Sequence, residues 1–216
     1  MTPPLPESIT GFRLDGYTNV YELCPGETRL YGTEDLFGDW NGRVLLVAKD
    51  FACSSLIRDR IDAGDPRPYR HEPKLVTNRR LLKLAAPLRT GESPETCGLL
   101  YGSALASLCR DDDKMSGTLP NRTEAMRFGE HTLAFTIGHM PNLQAIVCMG
   151  DEAWRCASGV LKVRTSWADA RDGGGEVRAG RIGVFAAYHP AARVSKAGMQ
   201  RPWEAVVDVL AGRRAA

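Results

Sequence analysis

The chain has 216 residues, 43% of them hydrophobic and 25% charged, and its 28 Lys and Arg against 26 Asp and Glu leave a formal net charge of +2. That length fits one domain, 1–216, with a core large enough to stand without metals or disulfides. No apolar run approaches transmembrane length, which excludes a helical membrane span, and the near-neutral average selects no class of partner.

The six cysteines, Cys24, Cys53, Cys97, Cys109, Cys148 and Cys156, form no Cys-x-x-Cys pair, so their spacing does not indicate a metal or iron–sulfur site. Reduced thiols packed in or near the core are the simplest account. The opening Met1-Thr2-Pro3-Pro4-Leu5-Pro6-Glu7 has neither the basic end nor the apolar centre of a signal peptide. A cytoplasmic monomer with no membrane partner is the expectation.

Residues 1–40 mix Pro, Gly and aromatics and read as an irregular cap with a short helix. Trp40-Asn41-Gly42-Arg43 turns the chain into a strand at 44–48, apolar throughout, as a strand covered on both faces should be. A short helix is expected near Ser54 to Ala63, then a stiff loop at Asp65-Pro66-Arg67-Pro68-Tyr69. Leu81, Leu84 and Leu88 set a helix over Asn78 to Leu88. Gly98 to Leu108 reads as the second strand. A helix from Thr123 to Gly138 follows, ended by Pro141, and Ala145 to Met149 is the third strand, with Gly150 turning directly into a helix at Asp151. Gly173-Gly174-Gly175 is a turn before the fourth strand, 182–187, and Pro202 to Leu210 is the closing helix, with Pro in its first turn. Strands alternating with helices predict a three-layer αβα sandwich around a mostly parallel four-stranded sheet.

Two strand ends carry the functional signal. Asp50 follows the first strand and His189-Pro190 follows the last. In an open α/β sheet, ligands bind outside the carboxyl ends of the strands, so the two side chains can meet in one crevice. Each also has a structural reading: Asp as a turn or cap former, His as a satisfied structural residue. The last quarter adds Arg178, Arg181, Arg193, Lys196, Arg201, Arg213 and Arg214, with few acids after Glu176. Beside His189 this makes either a polyanion-binding face or an ordinary solvated surface.

Taken together, Ala48-Lys49-Asp50-Phe51-Ala52-Cys53, Thr77-Asn78-Arg79-Arg80-Leu81-Leu82, Ala145 to Gly150, and His189-Pro190-Ala191-Ala192-Arg193 resemble, in order and spacing, the motifs of the uracil-DNA glycosylase superfamily across residues 40–212. The resemblance implies that fold, uracil-containing DNA as partner, no cofactor and no metal. It implies Asp50 as the group that orients or deprotonates water, and His189 as the donor to uracil O2. It further implies a uracil pocket built from Ala48, Lys49, Phe51, Tyr69 and Ser103, and a DNA contact surface of Arg193, Val194, Lys196 and Arg201, with Val194 or Met199 as a wedge.

The chain also departs from the family. Ser103 lies in the strand whose end carries a base-reading Asn in family members, and a hydroxyl lacks the bidentate match of an amide. Ala52 stands where a Tyr crowds out thymine, and the close N-terminal cysteine pair of the cluster-binding members is missing. Two further readings therefore stay open: a member that holds DNA or another damaged base without cutting, and an unrelated α/β hydrolase or transferase. Against the second, the chain has no Gly-rich phosphate loop and no Gly-x-Ser-x-Gly elbow.

Overall fold

The computed structural model describes residues 2–114, 117–173 and 176–213. The N-terminal segment contributes α1 (Glu7–Thr10), β1 (Tyr17–Asn19) and α2 (Val20–Leu23). The first core strand, β2 (Val44–Ala48), leads through α3 (Ser54–Asp62) and α4 (Val76–Ala85) to β3 (Leu99–Ser103) and β4 (Leu108–Arg110). There follow α5 (Arg122–Gly138), β5 (Ala145–Met149), α6 (Asp151–Leu161), α7 (Trp167–Asp172), β6 (Glu176–Ala179), β7 (Ile182–Ala187) and α8 (Lys196–Leu210).

Five strands form one sheet in the order β3-β2-β5-β7-β6, not the four expected. The first four are parallel, with Leu46 opposite Tyr101 on one side and Val147 on the other, and Val147 opposite Phe185. The added strand, β6, pairs antiparallel with β7. Its charged, half-buried residues sit at the sheet edge, where no apolar run is required.

Side-chain alternation along the central strands assigns the two covering layers. Leu45, Val47, Ile146, Cys148 and Val184 pack with Leu133 of α5 and Trp154 of α6. Leu46, Val147 and Phe185 pack on the opposite face with Leu81 and Ala85 of α4 and with Trp203 and Val206 of α8. With both faces covered, every position must be apolar, which is why these strands read as continuous runs. Truncating a buried Leu such as Leu46 to Ala costs about 2–5 kcal/mol in this kind of site. Helix α4 shows the complementary pattern, burying Leu81 and Ala85 while Arg79, Arg80 and Lys83 face outward.

Two other expectations are corrected. The run Gly98 to Leu108 is not one strand: it ends at Ser103, turns through Ala106 at φ 46°, and resumes as β4, which pairs antiparallel with β1 in a separate two-stranded sheet. Pro202 lies inside α8 rather than in its first turn. The helix starts earlier because the Ser195 hydroxyl accepts the Gly198 N–H at 3.1 Å and caps it. In the expected glycine turn, Gly174 and Gly175 lie outside the described residues. No helix among the described residues is long and apolar enough to cross a membrane.

Candidate functional site

The connections leaving β2 and β7 both run to the face covered by α4 and α8, so the residues after these strands emerge on one side of the sheet. The β2 exit is pinned: Ala104 N–H donates to the Ala48 carbonyl at 2.8 Å and Leu105 N–H to that of Lys49 at 3.0 Å. The β7 exit is closed by a turn in which Ala192 N–H donates to the His189 carbonyl at 2.8 Å. Arg80 of α4 reaches across to donate to the Pro190 carbonyl at 3.3 Å. Asp50 and His189 consequently line one crevice of about 290 Å³, together with Phe51, His71, Asn78 and Tyr101. Its volume is at the small end of ligand cavities, the scale of one flat heterocycle rather than an extended substrate.

The polar groups of the crevice are tuned by burial. Burial raises the Asp50 carboxyl above its usual range, opposed mainly by Lys49, whose ammonium pairs with it at 3.2 Å. The side chain is 13% exposed, enough to reach a bound molecule. Burial, and secondarily the charge of Lys49, lower the proton affinity of His189, favouring a neutral imidazole. Its Nδ1 accepts the Ala191 N–H at 3.3 Å. An acceptor Nδ1 leaves the ring proton on Nε2, so His189 offers a donor at its other nitrogen. Burial likewise pushes His71 down to about 4, with help from Arg60 and His189, so this second imidazole is uncharged at neutral pH.

The wall is aromatic. The Phe51 ring lies 4.8 Å from that of His71, which meets Tyr101 edge-on at 5.8 Å. The N-terminal segment buttresses it from behind. His71 N–H donates to the Gly32 carbonyl at 2.8 Å. Gly32 has φ 65°, and a Cβ there would lie 2.8 Å from the Tyr69 ring and 2.9 Å from that of Phe51, so only glycine fits. Asn78, 1% exposed, donates from Nδ2 to the Glu72 carbonyl at 2.6 Å. That bond fixes which way the amide faces, and Oδ1 has no hydrogen-bond partner among the described residues.

Next to the crevice, sharing the Pro190 turn, is a groove of about 490 Å³. Arg80 and Lys83 of α4 line it with Arg193 of the last loop and Lys196 at the start of α8, and no acidic side chain does. Sequence-distant cations are thus brought to one place, the electrostatic requirement for tracking a polyanion. Val194 and Met199 line the same groove, whereas Arg201 belongs to a smaller hollow with Arg171 and Tyr188.

The predicted site residues divide accordingly. Asp50, Phe51 and His189 meet in the crevice, and Lys49 stands beside it. Tyr69, Ser103 and Ala48 do not line it. Tyr69 is fully buried behind Phe51 and donates to the Leu30 carbonyl at 3.0 Å. The Ser103 hydroxyl is spent on the Ala106 carbonyl at 3.3 Å, and Ala48 is enclosed in the sheet. His71, Asn78 and Tyr101 were not singled out as site residues from sequence. A signal existed for the first two, since the chain has only four histidines and His71 and Asn78 both lie in the segment after the first core strand. No group of three or more His, Cys, Asp or Glu side chains placed to hold a metal occurs among the described residues. No protein-family model matches the chain, and no curated protein matches it.

Proposed function

We propose that this chain hydrolyses the N-glycosidic bond of uracil in DNA, as a divergent relative of the uracil-DNA glycosylases with the same sandwich fold. The observation that carries the proposal is the crevice itself: a carboxylate and a neutral, Nε2-protonated imidazole, from two different strand ends, share one base-sized aromatic cavity beside a groove with four cations and no acid.

The chemistry asks for these groups. As the C1′–N1 bond breaks, positive charge grows on the sugar and negative charge on uracil O2. Asp50, ionised beside Lys49, faces the cationic sugar and orients the water whose oxygen bonds to C1′. One proton of that water passes to the Asp50 carboxylate, and the electron pair of the broken bond leaves with the base. The His189 Nε2–H donates to O2 as that charge develops. Because the imidazole is already neutral, it stabilises the anion by hydrogen bonding without having to lose a proton. A preorganised donor at the site of developing charge is worth about 3–4 kcal/mol of barrier.

Phe51 and His71 supply stacking surface, and the Asn78 amide supplies an acceptor for uracil N3–H and a remaining N–H for O4. A base inside a duplex cannot reach this crevice, so the nucleotide has to be turned out of the stack. The test is incubation with an end-labelled oligonucleotide holding one uracil, beside a thymine control, followed by alkali. Cleavage at the uracil position alone supports the proposal, and an intact uracil strand at high protein concentration rejects it.

A further inference from the structure

Leu75 and Val76 are 52% and 55% exposed, more than any other large hydrophobic side chain described. They stand together at the start of α4, Leu75 as the residue preceding the helix and Val76 as its first residue. Leu75 also lines the crevice that holds Asp50 and His189. Both stay largely uncovered among the described residues, and their setting is polar: Lys74 precedes them, Arg79 and Arg80 follow within a turn, and no acidic residue occurs from Pro73 to Gly91. An apolar tip inside a cationic segment at the rim of a base-sized cavity has a matching partner in duplex nucleic acid. There, phosphates surround a stack whose interior becomes an apolar gap when one base is turned out.

The geometry points to Leu75–Val76 as a wedge that enters the stack of double-stranded DNA where the base has left it. Val194, 37% exposed, lines the groove on the Pro190 side, so a duplex seated over the crevice meets an apolar side chain from the α4 start and another from the last loop. The wedge holds the strands apart while Asp50 and His189 act, and its contribution falls on duplex substrate, where unstacking is required, rather than on single strands. This inference rests on the glycosylase reading of the crevice.

The experiment is single-turnover excision of uracil from one oligonucleotide, presented single-stranded and annealed to its complement. The wild type is compared with the double variant Leu75→Ala/Val76→Ala and with Ile61→Ala, an exposed apolar residue that does not line the crevice. Circular dichroism verifies that each protein is folded, as expected for surface truncations. The ratio of duplex to single-strand rate is expected to fall about tenfold in the double variant, the scale of one weakened unstacking step, and to stay at the wild-type value in Ile61→Ala. A double variant whose ratio equals the wild type's overturns the wedge while leaving the catalytic reading intact. A wild type that excises from neither substrate contradicts the catalytic reading, and the wedge falls with it.

Discussion

Replacing His71 with Phe isolates the cost of keeping an uncharged imidazole in the crevice wall. The ring is enclosed by Phe51 and Tyr101, and burial together with the charge of Arg60 pushes its titration down to about 4, against about 6.5 for a free histidine. A histidine with a lowered folded-state value takes up its proton more readily when the chain unfolds. Stability is therefore intact above about pH 6.5 and is lost as pH falls toward 4. Integrating the proton uptake gives a loss of about 1 kcal/mol at pH 5.5 and about 3 kcal/mol at pH 4 from this residue. Phe preserves the aromatic volume and cannot titrate. The assay is urea unfolding of both proteins at about pH 7.5, 5.5 and 4, which spans the window. The stability difference between variant and wild type should move in the variant's favour by about 3 kcal/mol across that range. Parallel pH curves for the two proteins would refute the placement of His71 as a buried neutral group.

Two further outcomes follow from the crevice and the groove. Lys83→Ala combined with Arg193→Ala should weaken DNA binding and make the slope of log K against log salt shallower by about 2, one phosphate contact per cation removed; an unchanged slope would take the groove out of the DNA path. Asn78→Ala should slow uracil excision by at least about tenfold, because the proposed amide contacts to N3–H and O4 are lost. A steady-state comparison finding the same kcat/KM would show that Asn78 does not touch the base.

The central fold was legible because burial on both faces leaves a direct mark. β2, β5 and β7 are short apolar runs bounded by turn residues, and no other element of this size needs that pattern. The edge strand β6 leaves no such mark: Glu176 and Arg178 pair with each other at 2.8 Å, and a short charged segment reads as a loop. The break between β3 and β4 was hidden because the residue that turns is Ala106, not glycine or proline, and its neighbours are as buried as strand residues.

The same asymmetry governs the site. Asp50 and His189 could be found from sequence because each terminates an apolar strand, so its emergence at the carboxyl edge is dictated by topology. Asn78 and Tyr101 could not be assigned so. Asn78 is carried to the crevice in the first turn of α4 and fixed by the Glu72 carbonyl, while Tyr101 sits within β3 and reaches the crevice through its ring. Ser103 shows the converse: its place at a strand end suggested access to the pocket, but the turn at Ala106 supplies a local carbonyl that takes its hydroxyl.

The claim that Asp50 drives bond cleavage rather than binding is tested most directly by measuring, on one uracil-containing duplex, both the affinity and the single-turnover excision rate of wild type and Asp50→Asn. Asn keeps the size and hydrogen-bonding reach of Asp50 but neither accepts a proton nor opposes the sugar's positive charge. Affinity is expected to stay within a few-fold of wild type while excision slows by about 100-fold or more. Excision at the wild-type rate, or a slowing fully explained by lost affinity, would contradict it.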